Sequence, residues 1–292
     1  MSILLDKNNR VMVMGITGAM GTFFAEDSGA YGTQIVSGVS PGRAGLKVGK
    51  IPVFNNVKQA CSETGADTAM IFVPPQLVMG AALEAIESGC RLIVATADEI
   101  PVRDTITIRQ SAIRYGVNFV GPNSPGIISP GKAKLGFMPS FCFKEGRVGV
   151  ISRSGSLSYE GSKRLTQAGI GQSSVIGIGG DPIKGTTAEE AIQLFHDDPE
   201  TDVILYLGEI GGNEEVNITN YALSKNSKPV VAYIVGRMAP PGKKMGHAAA
   251  LISSNAESYQ AKMELLSKSN VLFAKEISEI VGYVKQALNS EN

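Results

Sequence analysis

The chain is punctuated by short, almost wholly apolar runs, each ending among glycine, serine or proline and followed by a segment of helical spacing. "RVMVMG", "TAMIFVPP" and "RLIVATA" do not alternate polar with apolar residues, as strands of a half-exposed antiparallel sheet would. A strand that is apolar on both faces must be covered on both, and a parallel sheet flanked by helices meets that condition. "TQIVSGVS" and "VNFVGPN" complete the first set of strands, and "QLVMGAALEAIESG" between the third and fourth reads as a helix capped by Gly89. The alternation lapses over the Pro-, Gly- and Lys-rich stretch from Pro122 to Gly146 and then restarts. "RVGVIS", "SSVIGIGG", "DVILYLGEIGG", "PVVAYIVG" and "VLFA" supply a second set of strands, with helices such as "GSLSYEGSKRLTQAG" between them. The pattern predicts an α/β protein of two successive doubly wound units: residues 1–124, a connecting segment 125–146, and residues 147–292.

Composition narrows the function. Lys and Arg number 27 against 27 Asp and Glu, so no global field draws the chain to nucleic acid or to an anionic membrane. Any bound anion must be gripped by local geometry, and many of the 34 glycines fall directly after apolar runs, where tight phosphate-binding turns form. Three cysteines, Cys61, Cys90 and Cys142, are scattered and odd in number, which predicts reduced thiols rather than a disulfide frame or zinc site. No signal segment and no run of eighteen apolar residues is present in the sequence. The expectation is a cytoplasmic protein with no membrane or nucleic-acid partner and no metal ligands of its own.

Two kinds of turn then carry the chemistry. "MGITGAMGTF" sets Gly15, Gly18 and Gly21 at the mouth of the first strand, spaced G-x-x-G-x-x-G rather than as the dinucleotide fingerprint. The next strand ends in "IVSGVSPGRAG", which offers Arg43 where a dinucleotide site would offer a ribose-binding carboxylate. A phosphorylated ribonucleotide such as coenzyme A suits this better than NAD. In the second unit, "VISRSGSLSYE" leads from a strand through a serine- and glycine-rich turn into a helix, and "IGIGGDP" makes a neighbouring turn. Both are ready anion sites at strand ends.

Only two histidines occur. His196, in "LFHDDPE", reads as a solvated side chain at a helix end. His247, in "GKKMGHAAALIS", is surrounded by glycine and alanine, so the backbone can approach another surface while the ring keeps room to move. A nucleophilic imidazole needs a carboxylate on its far nitrogen, and Glu209 in "LGEIGG" is a charged residue at a strand end with no packing purpose. There is no Walker sequence, so a phosphorylated His247 would exchange phosphate with a nucleotide held on a partner chain.

"GITGAMGT", "GPNSPG", "SRSGSLSYE", "GIGGDP", "GEIGG" and "MGHAAA" resemble, in order and spacing, the alpha subunit of succinyl-CoA synthetase over nearly the whole chain. The resemblance implies a Rossmann-like CoA-binding domain followed by a flavodoxin-like ligase domain that carries the phosphohistidine. It implies CoA contacts from Thr17, Gly18, Ala19, Met20 and Arg43, with Thr96, Ala97 and Asp98 near the adenosine end. His247 would be phosphorylated and oriented by Glu209; Ser154 and Gly155 would begin the phosphate-receiving helix; Tyr159 and Ser124 would lie near the acid. It further implies a β subunit of ATP-grasp fold that holds ATP or GTP and Mg²⁺, in an αβ or (αβ)₂ assembly, and a small anionic acid as substrate.

The chain departs from the family pattern in places. Ser124 stands for a cysteine, Lys47 and Lys50 add charge beside Arg43, Asp98 is shorter than the usual glutamate, and "GHAGA" becomes "GHAAA". These changes keep open malate, sulfoacetate or citrate beside succinate as the acid. A nicotinamide-dependent oxidoreductase and a non-catalytic CoA-binding module are the readings from other classes.

Overall fold

The computed structural model describes residues 2–289, which divide into two compact units. One unit contains residues 4–138 and 183–186. Its elements are β1 (Arg10–Met14), α1 (Ala19–Tyr31), β2 (Gln34–Val39), β3 (Lys47–Val48), β4 (Ile51–Phe54), α2 (Val57–Thr64) and β5 (Thr68–Ile71). They continue with α3 (Pro75–Glu87), β6 (Leu92–Ala95), α4 (Val102–Tyr115), β7 (Asn118–Val120), β8 (Gly126–Ser129) and β9 (Ala133–Gly136). The sheet runs β3-β4-β2-β1-β5-β6-β7, parallel except for the antiparallel β3–β4 edge. Its central strands are apolar on both faces because both are covered: Met12, Val13, Ile71 and Val94 are all fully buried. Each such side chain contributes about 1.5–3 kcal/mol relative to exposure. Helix α3 ends as expected, with Gly89 at φ +91° and its N–H bonded to the carbonyl of Ile86.

The stretch 125–146, expected to be the connecting segment, contains the buried β8–β9 hairpin, in which Ile127 faces Leu135 and Ile128 faces Lys134. Its glycines permit close backbone approach: a Cβ on Gly126 would lie 2.0 Å from the Leu135 carbonyl oxygen, and one on Gly136 would lie 2.4 Å from that of Pro125. Lys134 of β9 is part of this buried hairpin. It is 1% exposed, and its ammonium is satisfied by Asp27 Oδ2 at 2.6 Å and the Met138 carbonyl at 3.0 Å.

The other unit contains residues 139–182 and 187 onward, with the described residues at the N-terminus. Its elements are β10 (Glu145–Ser152), α5 (Gly155–Gln167), β11 (Gln172–Gly177), α6 (Ala188–Asp197), β12 (Val203–Glu209) and α7 (Glu214–Ala222). They finish with β13 (Val230–Val235), α8 (Tyr259–Leu266), β14 (Leu272–Ala274) and α9 (Ile280–Asn289). Its strands run β14-β13-β12-β10-β11, all parallel. This is the flavodoxin-like order, and its switch point, where a ligand crevice opens, lies between β10 and β12. No helix of the described residues is long and apolar enough to cross a membrane.

Candidate functional site

In the first unit, loops leaving the C-terminal ends of β1, β5 and β6 line one cleft of about 360 Å³. Gly18 comes from the loop after β1, Ala19 and Met20 from the first turn of α1, Phe72 to Pro74 follow β5, and Thr96 and Ala97 follow β6, with Phe137 beside them. The glycines place the backbone here. Gly15 has φ +78°, and a Cβ on it would lie 2.3 Å from the Phe72 carbonyl oxygen; a Cβ on Gly21 would lie 2.2 Å from that of Gly15. Helix α1 therefore starts tight against the sheet, and no side chain caps it at Gly18, which leaves its first N–H groups available to an anion. Thr17 is tied to the end of β2 through its hydroxyl, 2.9 Å from Ser40 Oγ. Arg43 and Asp98 are exposed and do not line the cleft. Ser124 is buried, and its Oγ accepts from the Gly126 N–H at 2.9 Å, which fixes the entry to β8.

In the second unit the strand ends at the switch point converge on His247. Glu209 is the last residue of β12 and only 5% exposed. Both of its carboxylate oxygens lie within hydrogen-bond distance of His247 Nδ1, at 3.0 and 2.9 Å. With Nδ1 donating to Glu209, the neutral ring keeps its lone pair on Nε2. The ring lies against Gly180, where a Cβ would come within 2.6 Å of its Cγ. The Ala249 N–H donates to the Gly180 carbonyl at 3.0 Å, and a Cβ on Gly211 would lie 2.0 Å from the Ala249 carbonyl oxygen. The loop that carries the histidine is thus seated between the glycine turns after β11 and β12.

Arg153, between β10 and α5, is 1% exposed. Its Nη2 lies 3.3 Å from Glu209 Oε1, and its Nη1 donates to the carbonyls of Glu209 at 3.2 Å and Gly211 at 2.6 Å. Ser154 caps α5, its Oγ accepting from the Leu157 N–H, and Gly155 opens the helix. The hydrogen bond to Glu209 raises the His247 pKa above the ordinary imidazole value. Burial opposes the shift, the Glu209 charge adds to it, and Arg153 and Asp181 act in opposite directions more weakly. Tyr159, in α5, has its hydroxyl pushed up to about 12 by burial, so it stays protonated and able to donate at neutral pH. A loop imidazole oriented by a buried carboxylate at a strand end is suited to accept and pass on an anionic group.

The chain matches curated relatives over nearly their full length. The chain is 45% identical over 296 residues to the alpha subunit of ADP-forming succinate–CoA ligase from Aquifex aeolicus, covering 100% of this chain and 97% of the relative. It is 44% identical to an alpha subunit of the same name from Archaeoglobus fulgidus, covering 98% of each chain. The chain belongs to the succinate–CoA ligase alpha-subunit family. As a member, it is a CoA ligase of two domains: a CoA-binding domain model matches residues 6–98 and a CoA-ligase model residues 151–272. Among solved structures, ATP citrate lyase from Methanosaeta concilii superposes with a TM-score of 0.88 over 99% of this chain at 22% identity, and the chain spans 51% of that longer protein. An acetyl-coenzyme A synthetase from Korarchaeum cryptofilum superposes with a TM-score of 0.77 over 96% of this chain and 61% of its own, at 22% identity. These structural likenesses bear on the fold.

In this family member His196 is not freely solvated. Packing of α6 on α7 half-buries it and brings its Nδ1 to 3.0 Å from the Tyr221 hydroxyl. Sequence reasoning also passed over several residues at the histidine site. Arg153 was read only as part of a serine-rich turn, and Gly180 only as part of a glycine turn. Lys262 and Glu215 lie in charged helical segments indistinguishable by pattern from solvated faces. Asp or Glu flanked by glycines at a strand end was the one signal strong enough to single out a partner for the ring.

Proposed function

We propose that this chain is the alpha subunit of a nucleoside-diphosphate-forming succinate–CoA ligase, and that His247 carries the phosphoryl group between partner and acid. The carrying observation is the contact of both Glu209 oxygens with His247 Nδ1, which leaves Nε2 as nucleophile. In the first step Nε2 attacks the γ-phosphorus of ATP or GTP, and the bond to the leaving nucleoside diphosphate breaks. Glu209 stabilises the imidazolium character that develops. A carboxylate oxygen of the acid then attacks phosphorus, the P–N bond breaks, and an acyl phosphate forms while the ring returns to neutrality. The CoA thiolate attacks the acyl carbon, and inorganic phosphate leaves. The N-terminus of α5, with Ser154 and Gly155, offers fixed dipoles to the phosphoryl group throughout.

In this reading Thr17 to Met20, Thr96 and Ala97 bind CoA in the cleft of the first unit, with Arg43 and Asp98 reaching the nucleotide end from outside it. Tyr159 meets the acid. The nucleotide and Mg²⁺ sit on a β subunit of ATP-grasp fold, and the complex works in the cytoplasm. The names of the relatives support succinate as the acid. The test is thioester synthesis by the assembled complex across succinate, malate, sulfoacetate and citrate. Succinate should give the highest kcat/KM, and His247→Asn should abolish synthesis from every acid. Comparable rates with all four acids would overturn the substrate assignment, and full activity of His247→Asn would overturn the mechanism.

A further inference from the structure

Beyond the histidine and its carboxylate, the site rests on a second layer of buried charge. Lys262 of α8 is 1% exposed, and its ammonium uses three donors: to the Glu209 carbonyl at 3.0 Å, the Gly211 carbonyl at 2.9 Å and Glu215 Oε2 at 2.5 Å. That is the full donor capacity of a lysine. The other Glu215 oxygen accepts from the Tyr206 hydroxyl at 2.9 Å, and Tyr206 lies three residues before Glu209 on the same strand. The circuit runs from β12 through α7 and α8 and back to the end of β12. Arg153 Nη1 donates to the same two carbonyls from the other side. The peptide oxygens on either side of Ile210 each accept hydrogen bonds from two cations.

Such a network is a poor device for stability alone. Ion pairs withdrawn from water gain little net free energy over apolar side chains of similar volume. What it accomplishes here is geometric. Four carbonyl contacts turn the backbone of 209 and 211 inward, and the turn continues through Gly211 and Gly212 at φ +79° and +65°. The Glu209 side chain meanwhile stays on His247 and within 3.3 Å of Arg153. Two cations, Arg153 and Lys262, balance two carboxylates, Glu209 and Glu215, so the layer is neutral when the ring is neutral.

We propose that Lys262, locked to Glu215, is a positioning residue that, together with Arg153, holds the end of β12 in the geometry by which Glu209 orients His247. The role builds on the phosphohistidine reading but makes a claim of its own about the ring. The charged groups facing that ring are Glu209 after β12, Arg153 after β10 and Asp181 after β11, and Lys262 acts through the first.

The test uses the full chain. Replacing Lys262 alone would strand Glu215 in the interior, so the informative variant combines Lys262→Met with Glu215→Leu, and it is compared with Lys262→Arg. Heteronuclear titration follows the His247 ring, which has only His196 as a companion signal. Phosphate uptake from nucleotide is measured in the assembled complex. The double variant should unfold cooperatively a few degrees below wild type, about the cost of leaving the buried Tyr206 hydroxyl without its acceptor, and its His247 pKa should fall toward the unperturbed 6.5. Its phosphorylation rate should drop about a hundredfold, as expected for a reacting group displaced by an ångström, with the nucleotide KM unchanged. Lys262→Arg should recover part of that rate. A folded double variant whose ring titrates as in wild type, or which takes up phosphate at the wild-type rate, would overturn the proposal. Should wild-type His247 take up no phosphate at all, the phosphohistidine reading fails, while the ring titration still decides the positioning role.

Discussion

Gly180→Ala is the smallest change that should disable the histidine while leaving the fold intact. The added methyl would lie 2.6 Å from His247 Cγ, 2.9 Å from Nδ1 and 3.0 Å from Cβ, where ordinary contact begins at 3.4 Å. Gly180 does not hold a left-handed backbone conformation, so alanine brings no φ strain, and the whole effect falls on the ring. To relieve the overlap the imidazole must retreat by roughly 1 Å, a displacement of the size that costs about a hundredfold in rate when a reacting group is moved. The same retreat stretches contacts of 2.9 and 3.0 Å to Glu209 beyond useful hydrogen-bonding range. The stability cost should stay near 1 kcal/mol, the low end for overpacking, since the ring is 30% exposed on a loop that can shift. Single-turnover phosphorylation from labelled nucleotide, run beside thermal unfolding, separates the two effects. Wild-type phosphorylation in a folded Gly180→Ala chain would refute the claim that the ring reacts from its seat against Gly180.

Three further outcomes follow from the geometry. Glu209→Gln should cost about 3–5 kcal/mol by stranding Arg153 wherever the wild-type carboxylate is ionised, with an added loss where the imidazole is protonated. Glu209 raises the His247 pKa, so the pair contributes stability that is full below 6.5 and lost as pH rises through the higher folded value. Thermal unfolding of both chains across pH should therefore show a gap that narrows toward alkaline pH, and a constant gap would contradict the coupling. Tyr159→Phe should raise the acid KM several-fold, because the hydroxyl, pushed up to about 12, is a permanent donor near neutrality; an unaltered KM across the acids removes Tyr159 from the acid pocket. Gly15→Ala forces a Cβ against the Phe72 carbonyl at φ +78°. It should lower stability by about 1–3 kcal/mol and weaken CoA binding, as measured by calorimetry.

How far the residues alone carried this picture depends on the range of the forces involved. Strands buried on both faces announce themselves locally, so both parallel sheets were legible from runs such as "RVMVM" and "VILYLGE". The pairing of Glu209 with His247 was legible as well, because a carboxylate among glycines at a strand end has no packing role. The β8–β9 hairpin was not legible, because the charge of Lys134 is satisfied by Asp27, more than a hundred positions away. Lys262 hid for the same reason: "YQAKMELL" looks like a solvated helix until tertiary structure places Glu215 against its ammonium. The seat at Gly180 is a property of two backbones meeting, which no single stretch of sequence records.

The most direct test of the account is to locate the phosphate. The assembled complex is incubated with nucleotide and no acid, and the modified chain is mapped by mass spectrometry and phosphorus NMR at alkaline pH. One phosphoryl group on Nε2 of His247, discharged on adding acid and CoA, is the result predicted here. Phosphate on any other residue, or thioester formation with none on the chain, would contradict it.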